Sequence, residues 1–187
     1  MRKLIKSFAV TVLALTAMPM LALAQLTFNH TITGEALDLS TAPAEGRDTP
    51  AVKSFLETGI DPYLEVKACL PKGEEIFLTA CSGCHGHVGE GKLGPGLADN
   101  YWTYPKNVTD KGLFETIYGG ARGMMGPHND LQLEEIMLLI AWIRHFYTGP
   151  VEDAEWLNDD QKKNFKAFDP THPQAVKVEG TCEIPAQ

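Results

Sequence analysis

Positive charge is scarce in this chain of 187 residues, where 16 Lys and Arg stand against 24 Asp and Glu. Nucleic acid is therefore an unsuitable partner, since its phosphates are held by clustered basic side chains. No segment alternates apolar and polar residues with period two, so no half-buried strand is expected. Internal repeats and low-complexity tracts are also missing, which excludes solenoids and arrays. Cysteine is limited to Cys69, Cys81, Cys84 and Cys182.

Long apolar runs are equally rare. The one from Phe8 to Leu23 follows Arg2, Lys3 and Lys6 and ends in Ala22-Leu23-Ala24. A basic start, an apolar middle and an A-x-A site describe a cleaved secretory signal over residues 1–24. Thr11, Thr16 and Pro19 interrupt the run, which argues against a retained membrane anchor. Cleavage after Ala24 leaves 163 residues, enough for one domain with a real core. The leader removes three basic residues and no acidic one, so 13 basic and 24 acidic side chains remain, a formal charge of −11. Such a balance suits a basic protein surface as partner, or solubility alone.

Helical spacing appears in four places. Thr49 to Leu56 has a capping Thr, Pro50 at the first helical position, and Val52, Phe55 and Leu56 on one face. Gly73, Ile76, Phe77 and Ala80 mark a helix beginning near Pro71. Leu113, Phe114, Ile117 and Tyr118 follow Asp110, a good N-cap, and stop at Gly119-Gly120. The longest run, Leu133 to Tyr147, carries Ile136, Leu139, Ile140 and Ile143 on one stripe before Gly149-Pro150. The expected layout is a signal at 1–24, an extension at 25–64, a central domain at 65–149 and an acidic tail at 150–187. That tail contains Trp156, Phe165 and Phe168 and should pack back onto the core.

Chemistry concentrates in Cys81-Ser82-Gly83-Cys84-His85. C-x-x-C-H is the attachment signature of c-type haem, because two thiols so spaced add to the vinyl groups of one porphyrin edge and the next His reaches the iron. A chain of this composition contains about 0.003 such words by chance. The rivals are a thioredoxin-like dithiol, which wants a βαβ setting, a zinc site drawing on His87, and a simple Cys81–Cys84 disulfide. The sixth iron ligand is sought in the loop 119–128, with Met125 first and Met124 and His128 as alternatives. A thioether favours reduced iron and raises the potential, whereas imidazole lowers it.

These residues resemble those of class I c-type cytochromes, through Gly73-x-x-x-Phe77, C-x-x-C-H, Gly94-Pro95-Gly96-Leu97, and a Met loop before a helix containing Trp142. The narrower resemblance is to the cytochrome c-L family. It rests on Cys-Ser-Gly-Cys-His-Gly-His, Tyr101-Trp102-Thr103-Tyr104-Pro105, Asp110-Lys111-Gly112-Leu113-Phe114, Ala141-Trp142-Ile143-Arg144-His145 and the extension around Thr33-Gly34-Glu35.

That resemblance implies an all-α class I cytochrome c fold, with three main helices around one covalent haem c. Gly73 would let the first and last helices cross closely, interlocking Phe77 and Trp142. The Pro95 carbonyl would accept a proton from His85, Leu97 would lie on the ring, Trp102 and Tyr104 would line the haem or bond its propionates, and Arg122 would neutralise one. The family can also hold a calcium ion near the haem, although no ligand loop is recognisable in this chain. Cys69 and Cys182 remain once the haem pair is set aside, and export favours a disulfide between them.

The implied function is single-electron transfer in the periplasm by a monomer that is not an enzyme. A pyrroloquinoline-quinone (PQQ) methanol dehydrogenase would be the donor and a small cytochrome c the acceptor. A different periplasmic dehydrogenase is the alternative donor. A haem peroxidase would need an open iron position and usually a second haem, and a sensor would need an output domain.

Overall fold

The computed structural model describes residues 26–171 and 180–184, so the leader expected at 1–24 lies outside the described residues. No strand occurs among them, and the nearest approach is one isolated bridge between Asn29 and Ala36. The architecture is helical, as the sequence resemblance implied.

Six α-helices follow in order among the described residues: α1 (Pro50–Thr58), α2 (Leu70–Ala80), α3 (Ser82–His85), α4 (Asp110–Gly119), α5 (Leu133–His145) and α6 (Asp159–Asn164). Thr49 caps α1 by accepting the Val52 N–H, with Pro50 in the first turn. α4 differs from expectation at its start. Its cap is Thr109, whose hydroxyl accepts the Gly112 N–H, while Asp110 is buried inside the first turn and paired with Arg144. A carboxylate engaged by a guanidinium 34 residues away is not free to cap its own helix. α5 begins with Glu135 accepting the Gln132 N–H at 2.8 Å. It ends at His145, two residues short of the expected Tyr147, as Phe146 and Tyr147 leave the helix and turn into the core.

The centre of the fold is the crossing of α2 and α5. A Cβ built on Gly73 would stand 2.2 Å from the Leu138 carbonyl oxygen and 2.9 Å from Trp142 Cβ. Only a residue without a side chain permits that approach. The ring that meets Phe77 is Phe146, at 5.1 Å and 64°, and Trp142 in turn meets Phe146 at 6.2 Å. The expected Phe77–Trp142 interlock is therefore bridged by a third ring.

The extension packs through Phe28, whose ring lies 5.6 Å from Phe55 and 5.3 Å from Phe114. Its backbone is tied to α4 by the Asn29 N–H, which donates to Glu115 at 2.7 Å. Burial alone would raise the Glu115 carboxyl, but Lys106 and Lys111 bond it and hold it below its ordinary value. On the far side Trp156 packs edge-on against Tyr147 at 4.8 Å, and the Phe168 N–H donates to the Tyr147 carbonyl. A disulfide joins Cys69 to Cys182 and fastens the tail beside the start of α2.

Candidate cofactor site

The end of α2 delivers Cys81, and the short α3 carries Cys84 and His85. No disulfide joins these two cysteines, of which Cys81 is half-buried and Cys84 exposed. Burial, and secondarily Cys84, push the Cys81 thiol up to about 11. Burial around Cys81 thus favours its neutral thiol over the thiolate.

Residues 86–97 fold back under His85. The Gly91 N–H donates to the His85 carbonyl at 2.7 Å, the Gly94 N–H to Cys84 at 2.9 Å, and the Leu97 N–H to Gly89 at 2.7 Å. Gly94 lies so near the imidazole that a Cβ would meet His85 Cε1 at 2.7 Å. The loop carries Pro95 to the ring edge, where its carbonyl lies 2.8 Å from His85 Nδ1. A carbonyl only accepts, so Nδ1 holds the proton and Nε2 keeps a lone pair for a metal.

The Met loop leaves α4 at Gly120 and is closed by the Ala121 N–H donating to Met125 at 3.0 Å. His128 is fixed by its N–H on the Ile117 carbonyl at 3.1 Å. Within this loop the two methionines differ sharply. Met124 is 80% exposed, whereas Met125 is half-buried and packs against the core. Trp102 is buried with its Nε1 unpaired, and the Tyr104 hydroxyl accepts the Arg122 N–H at 2.9 Å. Arg122 is itself exposed.

All of these groups border one cavity of about 450 Å³. Its wall brings together Cys81, Cys84, His85, Pro95, Leu97, Trp102, Tyr104, Arg122, Met124, Met125 and His128 with apolar Leu113, Ile117, Leu139 and Ile143. The volume is typical of pockets that enclose a whole small molecule, roughly 300–1,000 Å³. A flat apolar macrocycle with polar substituents fits the site: the wall is mainly hydrocarbon, two thiols and one imidazole face it, and the Trp102 N–H awaits an acceptor. Among the described residues no three His, Cys, Asp or Glu side chains cluster as a metal site, so the expected calcium ion has no such ligand set to rest on.

Sequence reasoning overlooked the groups behind this wall. Arg144 sits 4.1 Å from the Trp156 ring and 5.1 Å from the Trp102 ring, while Asn107 and Thr116 line the cavity and bond each other at 2.7 Å. The signal that could have found Arg144 is a cation that closes the apolar stretch 136–143 of α5 and is itself buried. The remaining histidines among the described residues stay outside the site. His87 is exposed, His145 lies between the Trp142 and Phe168 rings, and His30 Nδ1 accepts the Ile32 N–H at 3.1 Å. His172 is outside the described residues.

Comparison with known proteins agrees with this geometry. Residues 69–143 match the family described as cytochrome c oxidase, cbb3-type, subunit III. Cytochrome c-L of Methylorubrum extorquens is 56% identical over 178 residues, covering 91% of this chain and 90% of that protein. The crystal structure of cytochrome cL from Hyphomicrobium denitrificans superposes with a TM-score of 0.74 at 69% identity, over 79% of this chain and 89% of that one. Cytochrome CL from the marine methylotroph Methylophaga aminisulfidivorans gives a TM-score of 0.74 at 54% identity, over 78% and 97% of the two chains. With such identity over nearly the full length of a curated relative, the chain belongs to the cytochrome c-L family of c-type cytochromes, which implies covalent haem c and makes it an electron-transfer protein rather than an enzyme.

Proposed function

We propose that this protein is a periplasmic mono-haem cytochrome that takes single electrons from a PQQ-dependent methanol dehydrogenase and passes them to a small cytochrome c. The observation that carries the reading is the convergence of Cys81, Cys84, an oriented His85 and a half-buried Met125 on one apolar cavity. Haem bound there supplies the one-electron chemistry.

Cys81 and Cys84 would hold the cofactor covalently, and His85 Nε2 would bind the iron while Pro95 fixes the imidazole. Met125 would be the sixth ligand. Met124, with four-fifths of its surface in solvent, is poorly placed for that role, and His128 is the remaining alternative. Leu97 would pack on the haem, Trp102 and Tyr104 would line it, and Arg122 at the rim would neutralise a propionate.

Docking is served by the mouth. Leu93, Tyr101 and Met124 border the cavity and are 74%, 70% and 80% exposed. An apolar rim on a chain left with a formal charge of −11 by leader cleavage is suited to brief contact with a basic, apolar-edged partner, with long-range charge speeding the encounter. The Cys69–Cys182 disulfide fits an oxidising compartment. No helix among the described residues is long and apolar enough to cross a membrane. The division into a leader at 1–24, an extension at 25–64, a carrier domain at 65–149 and a tail at 150–187 belongs to the same proposal.

Anaerobic mixing of the oxidised protein with methanol dehydrogenase and methanol tests the donor. Haem reduction should outpace that of an unrelated cytochrome, and equal rates would refute this partner. Met125→Ala should abolish the sulfur-to-iron absorption band near the red end of the visible spectrum. A persisting band would move the ligand to Met124.

A further inference from the structure

Beneath the cavity wall lies an ionic cluster that neither ligation nor docking uses. Asp61, Asp110 and Arg144 are 1%, 3% and 4% exposed. Asp110 Oδ1 accepts from Arg144 Nε at 3.2 Å, and its Oδ2 accepts the Asp61 N–H at 3.2 Å. Arg144 Nη2 donates to the Asn107 carbonyl at 2.8 Å, and Asp61 Oδ1 accepts the Tyr63 N–H at 2.9 Å. Asp61 Oδ2 and Arg144 Nη1 are buried without a hydrogen-bond partner. The guanidinium is held between the Trp156 and Trp102 rings, and Trp102 and Asn107 both line the cavity. The cluster is thus one side chain away from the cofactor's space.

Its charges do not balance. One guanidinium cancels one carboxylate, and Asp110 takes that role by direct contact. Asp61 is faced by Asp110 from α4, by Arg144 from α5, and by Tyr63 of its own turn, whose hydroxyl bonds Glu134 of α5. Tyr147 acts on the Arg144 side of the cluster. Among the described residues Arg144 is the cation that acts on Asp61, and Asp110 already occupies it. Burial first, and Asp110 second, push the Asp61 carboxyl well above its ordinary range. A buried carboxylate so placed holds a proton that an exposed one would release.

We propose that Asp61 is a proton-binding site coupled to the redox state of the cavity, so that when the cofactor site gains one electron the Asp61 carboxylate gains one proton from solvent. On oxidation both depart, and the local charge is unchanged in either direction. The coupling follows from the medium: in a dry interior two charges interact far more strongly than in water. Ionised Asp61 leaves the cluster with a net negative charge and opposes the incoming electron. Protonated Asp61 leaves it neutral. The inference rests on haem occupying the cavity.

The test is an optical redox titration of the haem-loaded protein at a series of pH values, comparing the native chain with Asp61→Asn. In the native protein, electron affinity should fall as pH rises through the Asp61 titration, at a limit of about tenfold per pH unit for one proton per electron. Asp61→Asn should keep its visible spectrum and lose that part of the pH dependence. Superimposable profiles would overturn the proposal.

Redox-difference infrared spectroscopy of native protein labelled with carbon-13 aspartate gives a check independent of any variant. A protonated-carboxyl band that moves with the label should grow on reduction, and its absence throughout the pH range of the fold would also overturn the proposal. The label separates aspartate from haem propionates. A colourless protein would overturn the haem assignment and the coupling with it, whereas a coloured protein lacking both signals would overturn the coupling alone.

Discussion

Replacing Gly73 with Ala tests the helix crossing on which the whole fold is built. The added Cβ would lie 2.2 Å from the Leu138 carbonyl oxygen and 2.9 Å from Trp142 Cβ. Carbon and oxygen rest at about 3.3 Å even in a close contact, so α2 and α5 must separate by about 1 Å. The obstacle is a backbone carbonyl in the α5 hydrogen-bond ladder, which cannot rotate away as a side chain would. Overpacking of this kind costs about 1–3 kcal/mol, and the fixed obstacle places this site near 3. Alanine regains about 1 kcal/mol of helix propensity relative to Gly. The net loss is about 2 kcal/mol, which for a chain of this size lowers Tm by roughly 4–8 °C. Thermal unfolding of the purified haem-loaded protein measures it, with Lys72→Ala on the exposed side of α2 as a control expected within about 0.5 kcal/mol of native. An unchanged or raised Tm for Gly73→Ala would refute the close-crossing argument.

Removing the Cys69–Cys182 bridge as a double Ala variant opens a connection across 113 residues and should lower stability by about 4–5 kcal/mol in denaturant unfolding. A loss below about 1 kcal/mol would show that the tail is held by packing alone. Arg144→Met leaves buried Asp110 without its cation and should cost about 3–5 kcal/mol, most of it recovered by adding Asp110→Leu. No recovery in the double variant would contradict the pairing. Because the folded-state pKa of Asp61 is raised, its stabilising proton is fully bound below the ordinary carboxylate range and lost as pH climbs through the folded value. Denaturant midpoints should therefore decline toward alkaline pH more steeply in the native protein than in Asp61→Asn, and parallel curves would contradict this sign.

Local features of the fold were legible because local rules govern them. Thr49 and Pro50 start α1, Gly119-Gly120 ends α4, and the stripe through Ile136, Leu139, Ile140 and Ile143 announces α5. The C-x-x-C-H word and the Gly94-Pro95-Gly96-Leu97 turn are contiguous, so the residues around His85 could be named before any coordinates. Features set by long-range pairing were not legible. Asp110 resembles a helix cap in sequence, and only its contact with Arg144 reveals why Thr109 caps instead. Phe146 and Tyr147 continue the helical stripe yet fold inward, because the rings of Phe77 and Trp156 await them across the chain. Asp61 carries no motif at all, since its character comes from burial beside groups 49 and 83 positions away.

The most direct test of the central claim is the intact mass of the exported, matured protein, read together with thiol alkylation under denaturing conditions. One haem should remain bound through acid-acetone extraction, the mass should exceed that of the polypeptide by one haem, and Cys81 and Cys84 should resist alkylation. A colourless chain with two alkylatable thiols at those positions would contradict the account.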